Sequence, residues 1–391
     1  MTDNTRLKPR VIAAVDGMRD ELIQISMTLH ANPEIAFEEV RSAALLCDTL
    51  EKHGFAVERG VGDLPTAFRA EAKGNGTEPT IAILAEYDAL REIGHACGHN
   101  IIGTAAIGAG IAAKTVLDQL PGRVLVIGTP AEEGGGGKIK LLDRGVFHDV
   151  DAAMMVHPSG YTMVNRASLA SNRLKIEFTG KASHAAGSPE DGINALEAVI
   201  LTFNNINALR LHLKPDARVH GIITHGGTAV NIIPEYAAAQ FSVRARTQRY
   251  ADQILARVIQ CAEAGATATG AQLQYTVTPG YLDIVPNGVM ARRFAENWRA
   301  IGVQVHEPRP NERIGSTDMG NVSHALPAIH PYIAIAPDGT PGHSVEFREA
   351  AISPDGHAGL LNAAKAMAMT TIDLLSDRQL MQQVKQEFAN Q

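Results

Sequence analysis

Residues 81–88 read IAILAEYD, five apolar residues that lead directly into the carboxylates of Glu86 and Asp88. A continuously apolar run of this length is typical of a strand buried on both faces, as in a parallel sheet covered by helices. Further segments then alternate between helix and strand: a helix at 100–117, the strand VLVIG at 124–128, a helix at 138–144 and the strand AAMMV at 152–156. This alternation predicts an α/β domain with a largely parallel sheet.

Amphipathic and capped segments extend this domain at both ends of the chain. Apolar residues spaced by three and four predict a helix at 11–30, and a second helix is predicted at 38–53, where Gly54 can end it. Near the other end we predict a helix at 288–300, a buried strand at 332–336 and a last helix opened by Ser353 as its cap.

The pattern changes near Ala167. We predict a strand at 174–179, a helix capped by Asp191, strands at 219–224 and 238–244, a helix at 251–264 and a strand at 272–278. The order β-α-β-β-α-β is typical of small ferredoxin-like domains. The sequence therefore predicts a larger domain formed by residues 1–170 and 284–391, with a smaller domain inserted at 171–283.

Composition and charge exclude several classes of protein. The 391 residues are 45% hydrophobic and 20% charged, which is ordinary for a globular chain, and no apolar run approaches the roughly 18 residues of a membrane span. The formal net charge of −7 argues against a nucleic-acid partner. Three cysteines are too few for a disulfide framework, and the N-terminal residues lack the features of a secretory signal, so we expect a cytoplasmic protein with no membrane partner.

Carboxylates or imidazoles follow four of the predicted strands, and Glu86 and Asp88 after 81–85 are the first of them. Glu132 and Glu133 come after 124–128, His157 comes after 152–156, and His343 lies in the loop after 332–336. The segment GHACGHN at 94–100 adds Cys97 and His99. Ligands of open α/β sheets bind outside the carboxyl ends of the strands, and Cys, His and carboxylate are the ligand set of zinc and related metals. Because five or more such groups exceed what one open tetrahedral ion needs, we predict a site for two metal ions.

The adjacent carboxylates of Glu132 and Glu133 point in different directions from one strand end. One of them can bind a metal while the other faces a water molecule that the metal activates. A carboxylate within hydrogen-bond reach of that water can take its proton as general base.

Together these residues resemble one family, the metal-dependent aminoacylases and amidohydrolases among the peptidases, whose members include hydrolases of hippurate, of indole-acetyl amino acids and of aminobenzoyl-glutamate. The motifs that carry the resemblance span the chain in the family's order: AEYDAL, GHACGHNIIGTAA, GTPAEEGGGGK, VHP, GTAVNIIP and the GH before VEF. The resemblance implies a metallopeptidase-type catalytic domain with an inserted lid or dimerisation domain. Glu86 and Asn100 stand where the common pattern has Asp, which resembles the aminobenzoyl-glutamate hydrolases and β-alanyl dipeptidase-like proteins.

The resemblance also implies roles for individual residues. The expected metal ligands are Cys97, His99, Glu133, His157 and His343, which would hold two divalent ions, Zn²⁺ or Mn²⁺. Glu132 resembles the general base, and Asp88 resembles the carboxylate that orients a neighbour of the metals. In the inserted domain, His184, Asn231 and Arg244 match positions that reach the substrate, and a homodimer formed through this domain is expected.

The expected activity is hydrolysis of the amide bond in an N-acyl or N-aroyl amino acid, or in a dipeptide-like substrate with a carboxylate. Two alternatives remain at this point. The first is a non-catalytic, dimeric scaffold that binds metal, and the second is a hydrolytic deaminase of an aromatic amine with the same metal site.

Overall fold

The computed structural model describes residues 4–309 and 314–391, which divide into two compact units. The larger unit comprises Met1–Arg166, Val285–Arg313 and Asn321–Gln391, and the smaller unit comprises Ala167–Ile284 and Ile314–Gly320. The sequence prediction had assigned residues 314–320 to the larger domain. Within the described residues, no helix combines the length and the apolar composition that a bilayer crossing requires.

The elements follow one another along the chain in this order: α1 (Asn4–Gly17), α2 (Arg19–Ala31), α3 (Val40–Lys52), β1 (Ala56–Arg59), β2 (Phe68–Lys73), β3 (Thr80–Ala85), α4 (His99–Lys114), β4 (Arg123–Gly128), α5 (Gly137–Asp143), β5 (Ala152–Met154), β6 (His157–Ser159), β7 (Ala170–Thr179), α6 (Ala195–Arg210), β8 (Arg218–His225), β9 (Tyr236–Ala245), α7 (Gln248–Thr269), β10 (Gln272–Pro279), α8 (Gly288–Ala300), α9 (Met319–Ala325), β11 (Ala328–Ile329), β12 (Tyr332–Ala334), α10 (Val345–Ala350), α11 (Pro354–Ser376) and α12 (Arg378–Ala389).

The larger unit is built on a six-stranded sheet in the order β1-β2-β4-β3-β5-β11. Strand β3 pairs in parallel with β4 and with β5, and β5 pairs in parallel with β11, whereas β2 and β1 add antiparallel strands at one side. All six residues of β3 are buried. The predicted α/β class is therefore confirmed, with the apolar run at 81–85 at the centre of the sheet.

Helix α4 lies against this sheet and also packs on α11. It is rich in glycine and alanine, and Lys114 is its only residue that is not buried. Small side chains let neighbouring backbones approach closely, so this helix occupies the middle of the core. Its first residue is His99, which the packing of the helix holds beside the ends of β3 and β4.

The smaller unit has a four-stranded antiparallel sheet in the order β10-β7-β9-β8, on which α6 and α7 pack. The predicted β-α-β-β-α-β order is present, and its buried face alternates along β7 with a period of two. The predicted cap was wrong. Asn194, not Asp191, caps α6, because its side chain accepts hydrogen bonds from the N–H groups of Leu196 and Glu197.

Three other details of the sequence prediction were wrong. The single helix expected at 11–30 is two helices, which meet at Met18 directly after Gly17, a residue that weakens helices. The strand expected at 332–336 lies outside the main sheet, where β12 pairs with β6 in a separate two-stranded ladder. Strand β5 ends at Met154, so His157 begins β6 instead of ending β5.

Candidate metal centre

The parallel pairing of β3 with β4 brings two acidic segments to one edge of the sheet. Ala85 and Gly128 are paired at the ends of these strands. The chain then continues from β3 to Asp88 and from β4 to Glu132 and Glu133. Asp88 Oδ2 accepts the backbone N–H of Glu133 at 3.0 Å, so the two segments are joined directly.

Cys97 and His99 lie where the chain enters α4, on either side of Gly98. Gly98 has a positive φ of 79° and precedes the helix. A side-chain carbon at this position would lie 2.8 Å from Cγ of Pro158, which is closer than such atoms approach. Glycine is therefore required for this turn to pack against the residue that follows His157.

His157 reaches the same place from the start of β6. Its Nε2 lies 3.4 Å from Sγ of Cys97, and its ring is perpendicular to the ring of His99 with the centroids 5.8 Å apart. Its Nδ1 lies 2.6 Å from the carbonyl oxygen of Pro158, which leaves Nε2 as the nitrogen that faces the cluster.

His99 is surrounded by acidic groups. Its Nδ1 lies 3.1 Å from Oδ1 of Asp88, while its Nε2 lies 3.5 Å from Oε2 of Glu86 and 3.9 Å from Oε1 of Glu133. A carboxylate on one ring nitrogen fixes the tautomer and the ring orientation, so that the other nitrogen can bind a metal.

His343 comes from the loop between β12 and α10. Its Nε2 lies 3.1 Å from Oε1 of Glu133, and its backbone N–H donates to the carbonyl of Ala96 at 3.0 Å. His343 has a φ of 59°, in the left-handed region that residues other than glycine seldom adopt. Such strain persists only where the surroundings determine it, and it is concentrated at functional sites.

Ligand-type atoms therefore converge in three overlapping groups, within each of which the atoms lie no more than 4.8 Å apart. The groups are Cys97 with His99 and His157, Cys97 with Glu133 and His343, and His99 with Glu132 and Glu133. All five residues expected to bind metal, together with the expected base, are brought together. Cys97, His99 and Glu133 each belong to two of the three groups.

Burial and charge shift the ionisation of these residues. Burial raises the pKa of the Cys97 thiol and lowers the pKa of His157 to about 3. Burial would lower the pKa of His99, but the acidic groups of Cys97 and Asp88 raise it well above its ordinary value. Burial also opposes ionisation of Glu133, yet its contact with His343 brings the pKa of this carboxyl below its usual range.

The residues of this cluster fit a divalent metal ion. His99 Nε2 is fully buried and makes no hydrogen bond within the part of the chain that is described, although carboxylates surround it at 3.5 and 3.9 Å. Buried polar atoms are normally satisfied, and a cation between these groups would satisfy them. Thiolate, imidazole and carboxylate together are ligands typical of zinc and related ions.

The three residues expected to reach the substrate lie in the smaller unit. His184 and Asn231 are on adjacent segments, since Ala185 donates its N–H to the carbonyl of Asn231 and His184 forms a β-bridge with Ile232. Both side chains are exposed. Arg244 lies on β9, opposite Ser171 of β7 and Arg218 of β8, and is partly buried.

The sequence analysis missed three polar residues near the cluster. Lys138, at the start of α5, is fully buried and forms an ion pair with Glu86. His330 is buried against the ring of His157, with 5.6 Å between the centroids. Glu39 is fully buried and accepts a hydrogen bond from the backbone of Ala131. Of these, only Lys138 had a signal, because it follows the four glycines directly.

Comparison with known proteins agrees with this cluster. A family model described as a peptidase dimerisation domain matches residues 168–269. An Xaa-Arg dipeptidase of Mus musculus is 36% identical over 98% of this chain and 92% of its own length. The chain belongs to the M20 family of metallopeptidases. It is a metal-dependent hydrolase of amide bonds.

Two further M20 relatives match nearly the whole chain. One of the subunits of the p-aminobenzoyl-glutamate hydrolase of Escherichia coli K12 is 34% identical over 96% of this chain and 93% of its own length. A solved structure from Bacillus subtilis, described as a dinuclear metal binding peptidase, has a TM-score of 0.73 and 23% identity over 92% of this chain and 99% of its own. At this identity the structural likeness concerns the fold.

Replacing Cys97 by serine is expected to reduce the metal content of the protein by at least one ion per chain. A serine hydroxyl is a much poorer ligand than a thiolate for soft and borderline metals, and Cys97 belongs to two of the three donor groups. Elemental analysis of the purified protein measures this. Cys261→Ser, at a partly buried cysteine of α7, is the control and should keep the wild-type metal content. A Cys97→Ser protein with unchanged metal content would contradict the assignment of Cys97 as a metal ligand.

Proposed function

We propose that this chain hydrolyses the amide bond of an N-acyl or N-aroyl amino acid, or of a dipeptide-like substrate, that carries a carboxylate. The observation that carries the proposal is the convergence of Glu132 and five ligand-type side chains in three overlapping groups at one edge of the sheet. Relatives that match almost the whole chain are named as a dipeptidase and an aminobenzoyl-glutamate hydrolase, and these substrates have in common an amide bond to an amino acid.

Two divalent ions, Zn²⁺ or Mn²⁺, are held in this proposal by Cys97, His99, Glu133, His157 and His343. Cys97, His99 and Glu133 each belong to two of the overlapping donor groups, which supports a site that would hold more than one ion. When bound, the ions polarise the carbonyl of the scissile amide and lower the pKa of a water molecule at the site.

Glu132 acts as general base. Its side chain is 8% exposed and leaves the chain next to Glu133, so it can face the water while its neighbour binds metal. It removes a proton from the attacking water and then passes this proton to the nitrogen of the leaving amine. Asp88 orients the ring of His99 through Nδ1, which keeps Nε2 directed at the cluster.

Residues 1–170 and 284–391 form the catalytic domain in this proposal, and residues 171–283 form a lid and dimerisation domain. In the lid, Arg244 binds the substrate carboxylate, and His184 and Asn231 stabilise the negative charge that develops on the carbonyl oxygen. His184 and Asn231 would be supplied to the site of the partner subunit. Their exposure on adjacent segments of the smaller unit supports such a role.

The edge strand β8 supports a homodimer. Its outer side pairs with no other strand among the described residues, and Ile222 on it is 65% exposed. Val230 in the following segment is 103% exposed. Exposed apolar side chains along an open strand edge favour pairing with another chain.

The free thiols of all three cysteines support a reducing, cytoplasmic environment.

Replacing Glu132 by glutamine is expected to lower kcat by two to four orders of magnitude while the metal content stays at the wild-type level. The amide keeps the shape of the side chain but cannot accept the proton of the water. Activity assays and elemental analysis on the same preparations separate the two effects. Glu58→Gln, an exposed acid on β1, is the control. A Glu132→Gln protein with nearly normal turnover would overturn the assignment of the base.

The substrate class is tested by assaying the metal-loaded protein with N-acyl amino acids, aminobenzoyl-glutamate, Xaa-Arg dipeptides and β-alanyl dipeptides. We expect at least one of them to yield a free acid and a free amine, as mass spectrometry of the products will show. Release of ammonia with a hydroxylated aromatic ring would identify a deaminase instead. Absence of stoichiometric metal after reconstitution would identify a non-catalytic scaffold.

Replacing Ile222 by lysine is expected to produce a monomer, because a charge on the strand edge opposes pairing with a second chain. Light scattering coupled to gel filtration measures the mass of both forms. Val277→Lys, on the opposite edge strand β10 of the same sheet, is the matched control and should remain dimeric. An Ile222→Lys protein that remains dimeric would place the interface elsewhere, and a fully active monomer would show that His184 and Asn231 act within their own chain.

A further inference from the structure

The loop between α2 and α3 lies beside the segment that follows β3. We call residues 34–39 the 34–39 loop. The backbone N–H of Ala89, directly after Asp88, donates to the carbonyl of Glu34 at 2.7 Å, and Ile35 forms a parallel β-bridge with Ala89. One end of the loop is thereby attached to the chain segment that carries Asp88.

The other end of the loop carries Glu39, whose side chain is fully buried and accepts hydrogen bonds on both carboxyl oxygens. Its Oε1 accepts the backbone N–H groups of Phe37 and Ala131, each at 2.9 Å, and its Oε2 accepts the hydroxyl of Thr66 at 2.9 Å. Burial, with the nearby charge of Asp88, raises the pKa of this carboxyl to about 7, although its hydrogen bonds act in the opposite direction.

Helix capping does not explain why the side chain of Glu39 is buried. It occupies the position before the first residue of α3, where a short polar side chain usually accepts hydrogen bonds from the first turn. Its side chain makes no such bond. Instead it extends to Ala131, 92 residues further along the chain.

Ala131 lies where the chain turns towards the two adjacent carboxylates. It has a φ of 62°, a strained value for alanine, and it directly precedes Glu132 and Glu133. Phe37, the other donor to the same oxygen, also has a positive φ, of 64°. A single carboxylate oxygen thus holds two residues in left-handed conformations, one in the 34–39 loop and one in the turn of the candidate base.

The ring of Phe37 strengthens this connection. A side-chain carbon on Gly135, within the four glycines after Glu133, would lie 2.3 Å from Cε2 of Phe37. The ring therefore lies directly on the glycine-rich segment. The 34–39 loop contacts the turn on both sides of Glu132 and Glu133, through a hydrogen bond before them and through packing after them.

We propose that Glu39 is a positioning residue for the amide hydrolysis, which holds Ala131 in its left-handed conformation and thereby directs Glu132 towards the water and Glu133 towards the metals. The inference rests on the proposed function of Glu132 and Glu133. The hydrogen bonds of the Glu39 carboxyl go to Phe37, Thr66 and Ala131, and in this proposal it acts through the backbone N–H of Ala131.

The test compares Glu39→Ala, Glu39→Gln and Thr66→Val. In Glu39→Ala we expect kcat to fall about 10- to 100-fold with little change in KM, and the dissociation constant for Mn²⁺ or Zn²⁺, measured by calorimetric titration of metal-free protein, to rise by about the same factor. Glu39→Gln should recover both quantities to within about threefold, because the amide oxygen can still accept both N–H groups.

Thr66→Val is the matched control. It removes a buried hydrogen bond to the same carboxyl but leaves the bond to Ala131 intact, and the carbonyl of Thr66 still accepts the hydroxyl of Tyr87. It should lower the melting temperature as a structural change does, yet leave kcat and metal affinity near those of the wild type. If Glu39→Ala behaves like Thr66→Val in melting temperature, kcat and metal affinity, the carboxyl only stabilises the fold and the proposal is overturned.

Glu39→Asp covers the case in which the alanine protein does not fold. Aspartate keeps the charge but is one methylene shorter, so it cannot reach both N–H groups, and we expect lower metal affinity and kcat than in Glu39→Gln. Equal values in the two variants would overturn the proposal. If the wild-type protein hydrolyses no amide, the proposed function fails, but the metal titrations of these variants still decide the positioning role.

Discussion

Acidic side chains are concentrated and buried at one edge of the main sheet, and the rest of the structure depends on how their charge is compensated. Glu86 and Asp88 are 1% and 0% exposed, and Glu132 is 8% exposed. Removing an ionised carboxylate from water is costly unless it is paired or binds a metal. Asp88 is satisfied by His99 and by the N–H of Glu133, and Lys138 forms an ion pair with Glu86. Two divalent cations would complete this compensation.

Holding so many groups within a few ångströms requires backbone conformations that chains avoid. Ala131 and His343 both have positive φ, and each lies in the cluster or directly before it. Each is held by a hydrogen bond of its backbone N–H, Ala131 to Glu39 and His343 to the carbonyl of Ala96. The strain is therefore maintained by the surrounding core, in keeping with the general observation that strained residues persist where neighbouring contacts determine them.

The alternation of apolar strands with helices along the chain predicted the α/β domain and the inserted domain. The apolar run at 81–85 and the residues after each strand identified the sheet and the cluster, because the ends of parallel strands meet at one edge. The strand that carries His157 could not be predicted. This strand, β6, has only three residues and pairs with β12, in which Tyr332 lies opposite His157 although it is 175 positions further along the chain. Short strands in small ladders have too few residues to show a period.

The role of Glu39 could not be predicted from the sequence, for a different reason. In the sequence it stands among charged and apolar residues at the start of a helix, where an exposed acid is ordinary, and nothing in the spacing indicates a partner 92 positions later. Only the fold shows that the start of α3 lies next to the turn that carries Glu132, where Glu39 accepts the N–H of Ala131.

Contacts between backbone segments explain why the cluster has one geometry. Three segments meet there: the 34–39 loop, the residues after β3 and the residues after β4. The carbonyl of Glu34 joins the first to the second, Asp88 joins the second to the third through Glu133 N–H, and Glu39 joins the first to the third through Ala131 N–H. Because each pair is joined by its own hydrogen bond, separating any two of the segments breaks a hydrogen bond, and the bond from Ala131 to Glu39 is buried and therefore costly to lose. Cys97 and His99, two of the proposed metal ligands, lie beside these segments where the chain enters α4, so the start of the helix that fills the core also contributes to the cluster.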